Sequence, residues 1–280
     1  FFFADSLTSF NPQTGEGTIE WKRENLYTRQ AFNMNTILAQ PLKMLDFPST
    51  QYESNPILKF TIQFISDNTV RVKFLTSKNE AKNSDEMMLT QEPQDKHCWK
   101  CTKTVNGYKY SSAGGSIVIE RYPWRILLYD ANGRLMTKTR RWVDNDSTQV
   151  KLLPFNFIRR GSDNSRSINP VFSLSPGEKI VGCGESFTAL NKVGQKINLF
   201  VTDPQGPETA DMYKPIPFYI SSKGYGLFMH TSAPVTCDFG ASHVATTKLF
   251  MMDETADLFL FFGEPKKILD EYTSLTGKPG

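Results

Sequence analysis

Cysteine is scarce here: four residues in 280, Cys98, Cys101, Cys183 and Cys237, too few for a fold of this length to be held by disulfides. Histidine is scarcer, with only His97, His230 and His243, which offers little material for a zinc site or for a nucleophile with its base. No run approaches the roughly 20 apolar residues of a membrane helix, and Phe1-Phe2-Phe3 is too short for the core of a signal peptide. Charge of one sign is lacking too. The 32 Lys and Arg stand against 29 Asp and Glu, a net charge of +3, and the basic residues are scattered, so neither a nucleic-acid footprint nor a membrane-binding patch is indicated. Repeats and low-complexity tracts are missing. An initiator Met is missing as well, so the chain is read as a processed product or expressed piece. Its compartment stays open: it reads as soluble, with secreted or periplasmic homes both admissible.

What the chain has is aromatic residues, 21 Phe and 10 Tyr, within 39% apolar and 22% charged content, a globular composition that leans toward strands. A chain this long buries roughly three quarters of its unfolded surface. Alternating runs at 59–65 and 69–75 predict strands with one dry face, and 116–120, 125–129, 224–230 and 249–252 read as further strands. Residues 256–262 form a continuous apolar run suited to a buried strand. Turn chemistry separates these runs, at Ser66-Asp67-Asn68 and at Asp130-Ala-Asn132-Gly133, while the polar stretch 80–96 reads as a solvated loop. Short strands between turn signals predict an all-β sandwich. One helix is expected over 264–276, with Pro265 in its first turn, Gly277 at its cap, and Ile268, Leu269, Tyr272 and Leu275 on one face. The organisation expected is an N-terminal segment over 1–56 packing on or extending the sandwich, the sandwich over 57–262, and a helix and linker over 263–280.

Among motifs, Gly182-Cys-Gly184-Glu185 asks for a function first. It lacks the third glycine of a dinucleotide fingerprint and the lysine of a P-loop, and Glu185 would repel a phosphate where backbone donors should welcome it. Ser186 lacks the frame of a nucleophile elbow. Cys98-Trp-Lys-Cys101, beside His97, has zinc or redox spacing but no second pair, so these read as structural or incidental thiols, with a metal site or a disulfide as the lesser alternatives. No metal and no cofactor is expected. Two readings of 181–218 remain. In one, Gly182 and Gly184 form a structural turn at a strand crossing, with Glu185 capping it. In the other, the loop Thr202-Asp203-Pro-Gln-Gly-Pro-Glu208, followed by Met212-Tyr213 and Pro215-Ile-Pro217-Phe218, offers a fixed carboxylate and flat apolar faces to a hydroxyl-rich ligand.

Several of these motifs in order, Gly182-x-Gly184-Glu185-x-Phe187, Leu190-Asn-Lys192-x-Gly194, the Asp203 loop, Tyr213-Lys-Pro-Ile-Pro217-Phe218-Tyr219 and Gly224-Tyr225-Gly226, resemble the N-terminal region of glycoside hydrolase family 31. That family includes α-glucosidases and α-xylosidases. The resemblance implies a galactose-mutarotase-like β-sandwich whose C-terminal helix leads to a (β/α)8 barrel, and a retaining α-glycosidase acting on α-linked oligosaccharides. The two catalytic aspartates of the family lie in the barrel and have no counterpart here, so no catalytic residue is expected and the isolated chain should be inactive. Asp203 matches the family's loop aspartate and, with Tyr213, is implied as substrate-binding. Phe200-Val201 departs from the Trp or Asn that many members carry before that aspartate, and the Tyr213-Lys-Pro form looks closer to α-xylosidases. A stand-alone carbohydrate-binding sandwich and a mutarotase-like sugar epimerase are the alternatives.

Overall fold

The structure is a computed structural model that describes residues 1–23, 55–78, 88–142, 152–203 and 209–278. The chain opens with a hairpin, β1 (Phe2–Asn11) and β2 (Glu16–Arg23), and the alternating runs become β3 (Ile57–Ser66) and β4 (Thr69–Leu75). A meander follows: β5 (Lys100–Thr104), β6 (Gly107–Ser111), β7 (Gly115–Glu120), β8 (Arg125–Asp130) and β9 (Leu135–Lys138). Short strands come next, namely β10 (Asn156–Arg159), β11 (Arg166–Asn169), β12 (Val171–Ser173), β13 (Ile180–Gly184) and β14 (Lys196–Leu199). The last strands are β15 (Pro215–Ser221), β16 (Tyr225–Met229), β17 (Val235–Phe239), β18 (Thr246–Met251) and β19 (Thr255–Phe262), before the helix α1 (Pro265–Thr276).

Among the described residues the larger sheet has 14 strands in the order β13-β15-β16-β19-β4-β3-β2-β1-β10-β11-β18-β17-β14, with β12 on β18, and the smaller sheet is the five-strand meander. The large sheet folds over on itself, so that Tyr219 of β15 meets Phe239 of β17 edge-on at 5.1 Å. The meander closes over its middle: Trp124 packs against Phe60 and Phe74 at 6.4 and 5.6 Å, and one core draws on both sheets. This is the all-β sandwich the alternation predicts. The segment before residue 57 supplies β1 and β2, paired to β10 and β3 inside the large sheet, while 24–54 lie outside the described residues.

The continuous apolar run of β19 follows from burial on both faces. Leu258, Leu260 and Phe262 join the main core, whereas Phe259 and Phe261 join Phe218, Phe228 and the α1 residues Ile268 and Leu275 in a second cluster. Tyr272 completes the α1 contact by stacking on Phe218 at 4.1 Å. Leu269 departs from the expected apolar face and is 49% exposed. With about 100° per residue, 268, 272 and 275 share one face and 269 lies a quarter turn away.

The same outer face buries charge. Arg71 of β4 donates two hydrogen bonds to Asp257 of β19, at 2.8 and 2.7 Å, and the His230 ring lies 2.9 Å from the same carboxylate. Burial pushes the Asp257 carboxyl up, but hydrogen bonds and charge from Arg71 and His230 outweigh it, so the group sits below the ordinary carboxylate range. Glu92 also pairs with Arg71. The stretch 80–96 is therefore not simply solvated. Its residues 80–87 lie outside the described residues, but Met88 and Leu89 pack on the α1 cluster, Thr90 N–H donates to Leu275 C=O at 2.8 Å, and the Asp95 carboxylate accepts from Phe64 N–H at 3.2 Å. Among its described residues the Glu92 and Asp95 carboxylates serve the sheet, while Gln91, Gln94 and Lys96 are exposed. Among the described residues no helix is long and apolar enough to cross a membrane.

Candidate sugar-binding edge

The sheet ends where β13 and β14 emerge, and both loops of interest lie there. β13 pairs antiparallel with β15, Gly182 opposite Tyr219 and Gly184 opposite Pro215, with a bulge between. Three consecutive residues hold positive φ across it: Gly182 at 130°, Cys183 at 69° and Gly184 at 88°. The bulge turns the Cys183 side chain into the core, 1% exposed. Neither glycine has room for a side chain, since a Cβ would stand 2.5 Å from Phe218 O at Gly182 and 2.1 Å from Lys214 O at Gly184. Glu185 closes the turn through its backbone, donating N–H to Lys214 C=O at 3.2 Å. Its carboxylate points outward, 3.6 Å from the Lys214 ammonium.

The following loop is pinned by a lysine that sequence reasoning left without a role. Lys192 is 4% exposed, and its ammonium donates to Thr188 Oγ1 at 2.9 Å and Ser186 Oγ at 3.2 Å. Asn191 Oδ1 accepts from Ile180 and Val193 N–H at 3.1 and 3.2 Å. The loop is thus held from inside, and Phe187 and Leu190 are left facing out at 67% and 78% exposure.

Asp203 and Tyr213 are ten residues apart and meet. Beyond β14 the chain forms an isolated parallel bridge, Val201 with Met212, and Thr202 N–H donates to Met212 C=O at 3.2 Å. Met212 is buried at 1%, which anchors its neighbour Tyr213, whose phenol donates a hydrogen bond to the Asp203 carboxylate. Residues 204–208 of the predicted loop lie outside the described residues. A cleft of about 660 Å³ runs between the 182–192 loop and Tyr213, lined also by Asp211. A second, of about 470 Å³, shares Ser186, Thr188 and Asp211 with it and includes Phe200 and Thr202.

The other candidates for chemistry are dispersed. His97 lies 3.5 Å from Asp95, His230 is buried on Asp257, and His243 Nδ1 is 2.8 Å from the Lys248 ammonium. Burial, then the Lys248 charge, pushes the His243 imidazole down. All four cysteines are free thiols, and Cys101 sits by the Tyr110 hydroxyl, whose own titration burial drives upward. Among the described residues no group of three or more His, Cys, Asp or Glu side chains is arranged to hold a metal ion. The edge thus presents the Asp203, Asp211 and Glu185 carboxylates, the Ser186 and Thr188 hydroxyls and exposed aromatic faces, chemistry that suits a hydroxyl-rich ligand.

Residues 59–238 match the glycosyl hydrolase 31 N-terminal galactose mutarotase-like domain. The chain belongs to glycosyl hydrolase family 31. Family 31 relatives include an α-xylosidase of Emericella nidulans, 39% identical over 107 residues, covering 38% of this chain and 14% of that protein. A second is the α-xylosidase XylQ of Lactiplantibacillus pentosus, 33% identical over 154 residues, covering 53% of this chain and 18% of that one. The chain therefore spans less than a fifth of either relative. In fold it is similar to the family 31 dextranase of Flavobacterium johnsoniae, with a TM-score of 0.65 at 17% identity over 99% of this chain and 29% of that one.

Proposed function

We propose that this chain is the sandwich of a retaining α-glycosidase, an α-xylosidase or α-glucosidase that hydrolyses α-linked oligosaccharides. In it the domain supports the protein's own (β/α)8 barrel, reached through the helix and linker of 263–280, and supplies the Asp203 loop as one wall of the sugar pocket. The observation that carries this reading is Asp203, held by the phenol of Tyr213, a residue that lines the larger cleft. A carboxylate accepts hydroxyl donors, and the exposed rings of Phe187 and Phe200 offer faces for sugar C–H groups.

Retention requires a carboxylate pair about 5 to 5.5 Å apart, one as nucleophile and one as acid and base. This chain's part is binding and orientation, which sharpen the reaction geometry at the barrel's loop face. Exposed apolar residues along the same edge, Phe187, Leu190, Phe200, Val201 and Ile216, support a surface that meets the barrel. The test is turnover of aryl α-xylosides and α-glucosides by the natural gene product and by residues 1–280 alone. Hydrolysis by the whole protein, none by the piece, and a roughly tenfold rise in KM for Asp203→Ala are expected. Hydrolysis by residues 1–280 alone, or an unchanged kcat/KM in Asp203→Ala, overturns the reading.

A further inference from the structure

Asp203 and Tyr213 are both exposed, Tyr213 at 59%, yet their hydrogen bond joins two side chains where water could serve each. An exposed contact of this kind forms when the backbone already places its ends. Here it does: the Val201 and Met212 bridge and the Thr202 to Met212 hydrogen bond lock the two legs of the loop in parallel. The buried Met212 side chain fixes the leg that bears Tyr213.

A phenol has one proton to donate. With that proton committed to Asp203 Oδ1, Tyr213 has no hydrogen left for a sugar oxygen, while the second carboxylate oxygen of Asp203 keeps its lone pairs for a sugar hydroxyl. We propose that Tyr213 is a positioning residue for Asp203 rather than a sugar contact: it fixes the carboxylate so that one oxygen faces the ligand. Holding the carboxylate in one rotamer before binding removes an ordering cost from the complex. A phenol is protonated and able to donate throughout the neutral range, and the Asp203 hydrogen bond shifts that of Tyr213 further upward.

This inference rests on the sugar-binding reading of Asp203 above, and a double-mutant cycle on the whole enzyme separates the two. The variants are Asp203→Ala, Asp203→Asn, Tyr213→Phe and Tyr213→Phe with Asp203→Ala, each assayed for kcat and KM on an aryl α-glycoside after a melting check that the fold persists. The expected result is a KM raised roughly threefold to tenfold by Tyr213→Phe, the scale of one charge-assisted hydrogen bond at a wet site, with kcat little changed. In the Asp203→Ala background the same change should do nothing further. Asp203→Asn keeps an acceptor oxygen, so Tyr213→Phe should still raise KM there. If Tyr213→Phe leaves KM alone, or raises it equally with and without Asp203, Tyr213 does not act through the carboxylate and the proposal falls, while Asp203 stands. If neither Asp203 variant changes kcat/KM, the sugar-binding reading itself fails.

Discussion

Gly184 and Gly194 adopt nearly the same left-handed backbone, with φ of 88° and 84°, but differ in what surrounds them. A Cβ on Gly184 would stand 2.1 Å from Lys214 O and 2.7 Å from Ile216 N, whereas at Gly194 nothing lies within 4 Å. Gly194→Ala should therefore cost only the left-handed penalty of an L residue, about 1 kcal/mol. Gly184→Ala incurs the same penalty and must also push β13 away from β15. That movement strains the 3.2 Å hydrogen bond from Glu185 N–H to Lys214 and the adjoining ladder, adding about 1 to 3 kcal/mol. Urea unfolding of both variants, with the slope checked against the parent, measures the difference. Because Lys214 follows Tyr213 directly, the proposed sugar-binding role of the Asp203 loop implies that the Gly184 variant also raises KM in the whole protein and the Gly194 variant does not. Equal destabilisation by the two would refute the claim that close backbone approach, rather than φ alone, demands glycine at 184.

Arg71→Met strands the buried Asp257 carboxylate with only part of its support, and should lower stability by about 3 to 5 kcal/mol at neutral pH, read by chemical denaturation. Asp257 has a folded-state titration below its unfolded value, so its contribution is present above about pH 4 and is lost as pH falls through the folded value; an acid limb unaltered in Asp257→Asn would contradict this. Burial raises the phenols of Tyr219 and Tyr225, so their contribution is full below about pH 10 and is lost as pH climbs toward the folded values. Alkaline titration should then show their phenolates appearing only with unfolding, not as a reversible native step. A thiol reagent should label exposed Cys98 in the native protein and reach buried Cys183 and Cys237 only in denaturant; rapid native labelling of all four would contradict the packing.

Strands whose identity is local were legible in the sequence. Residues 69–75 alternate and form β4 over the same span, and 256–262 could be read as doubly buried because six apolar or small residues with one Asp leave no wet face. What depends on a partner was less legible. The turn at 182–185 was suggested by its glycines, but the left-handed Cys183 between them exists because the bulge is set by β15, over thirty residues later. Lys192 reads as a solvated lysine in any local window, and only the fold of the 185–195 loop brings Ser186 and Thr188 around its ammonium. Likewise the Asp203 to Tyr213 bond needs the isolated bridge between Val201 and Met212, a single pairing with no periodicity to announce it. The family resemblance pointed to both residues without telling that they touch.

The direction in which the domain works follows from the contrast between its two outer regions. On the β4, β16 and β19 face, apolar side chains are covered by α1, and the charged groups answer one another, Arg71 with Asp257 and Glu92. That face has its needs met within the chain. At the β13 and β14 edge the polar backbone is just as carefully satisfied, by Asn191, Lys192 and the Lys214 carbonyl, yet Phe187, Leu190, Phe200 and Val201 are each more than half exposed. Internal hydrogen bonds spent on holding apolar rings out in water stabilise nothing by themselves. The arrangement becomes favourable when another surface covers those rings. On the proposed reading, that surface is the barrel, and the Asp203 carboxylate held by Tyr213 serves the sugar that enters beside it.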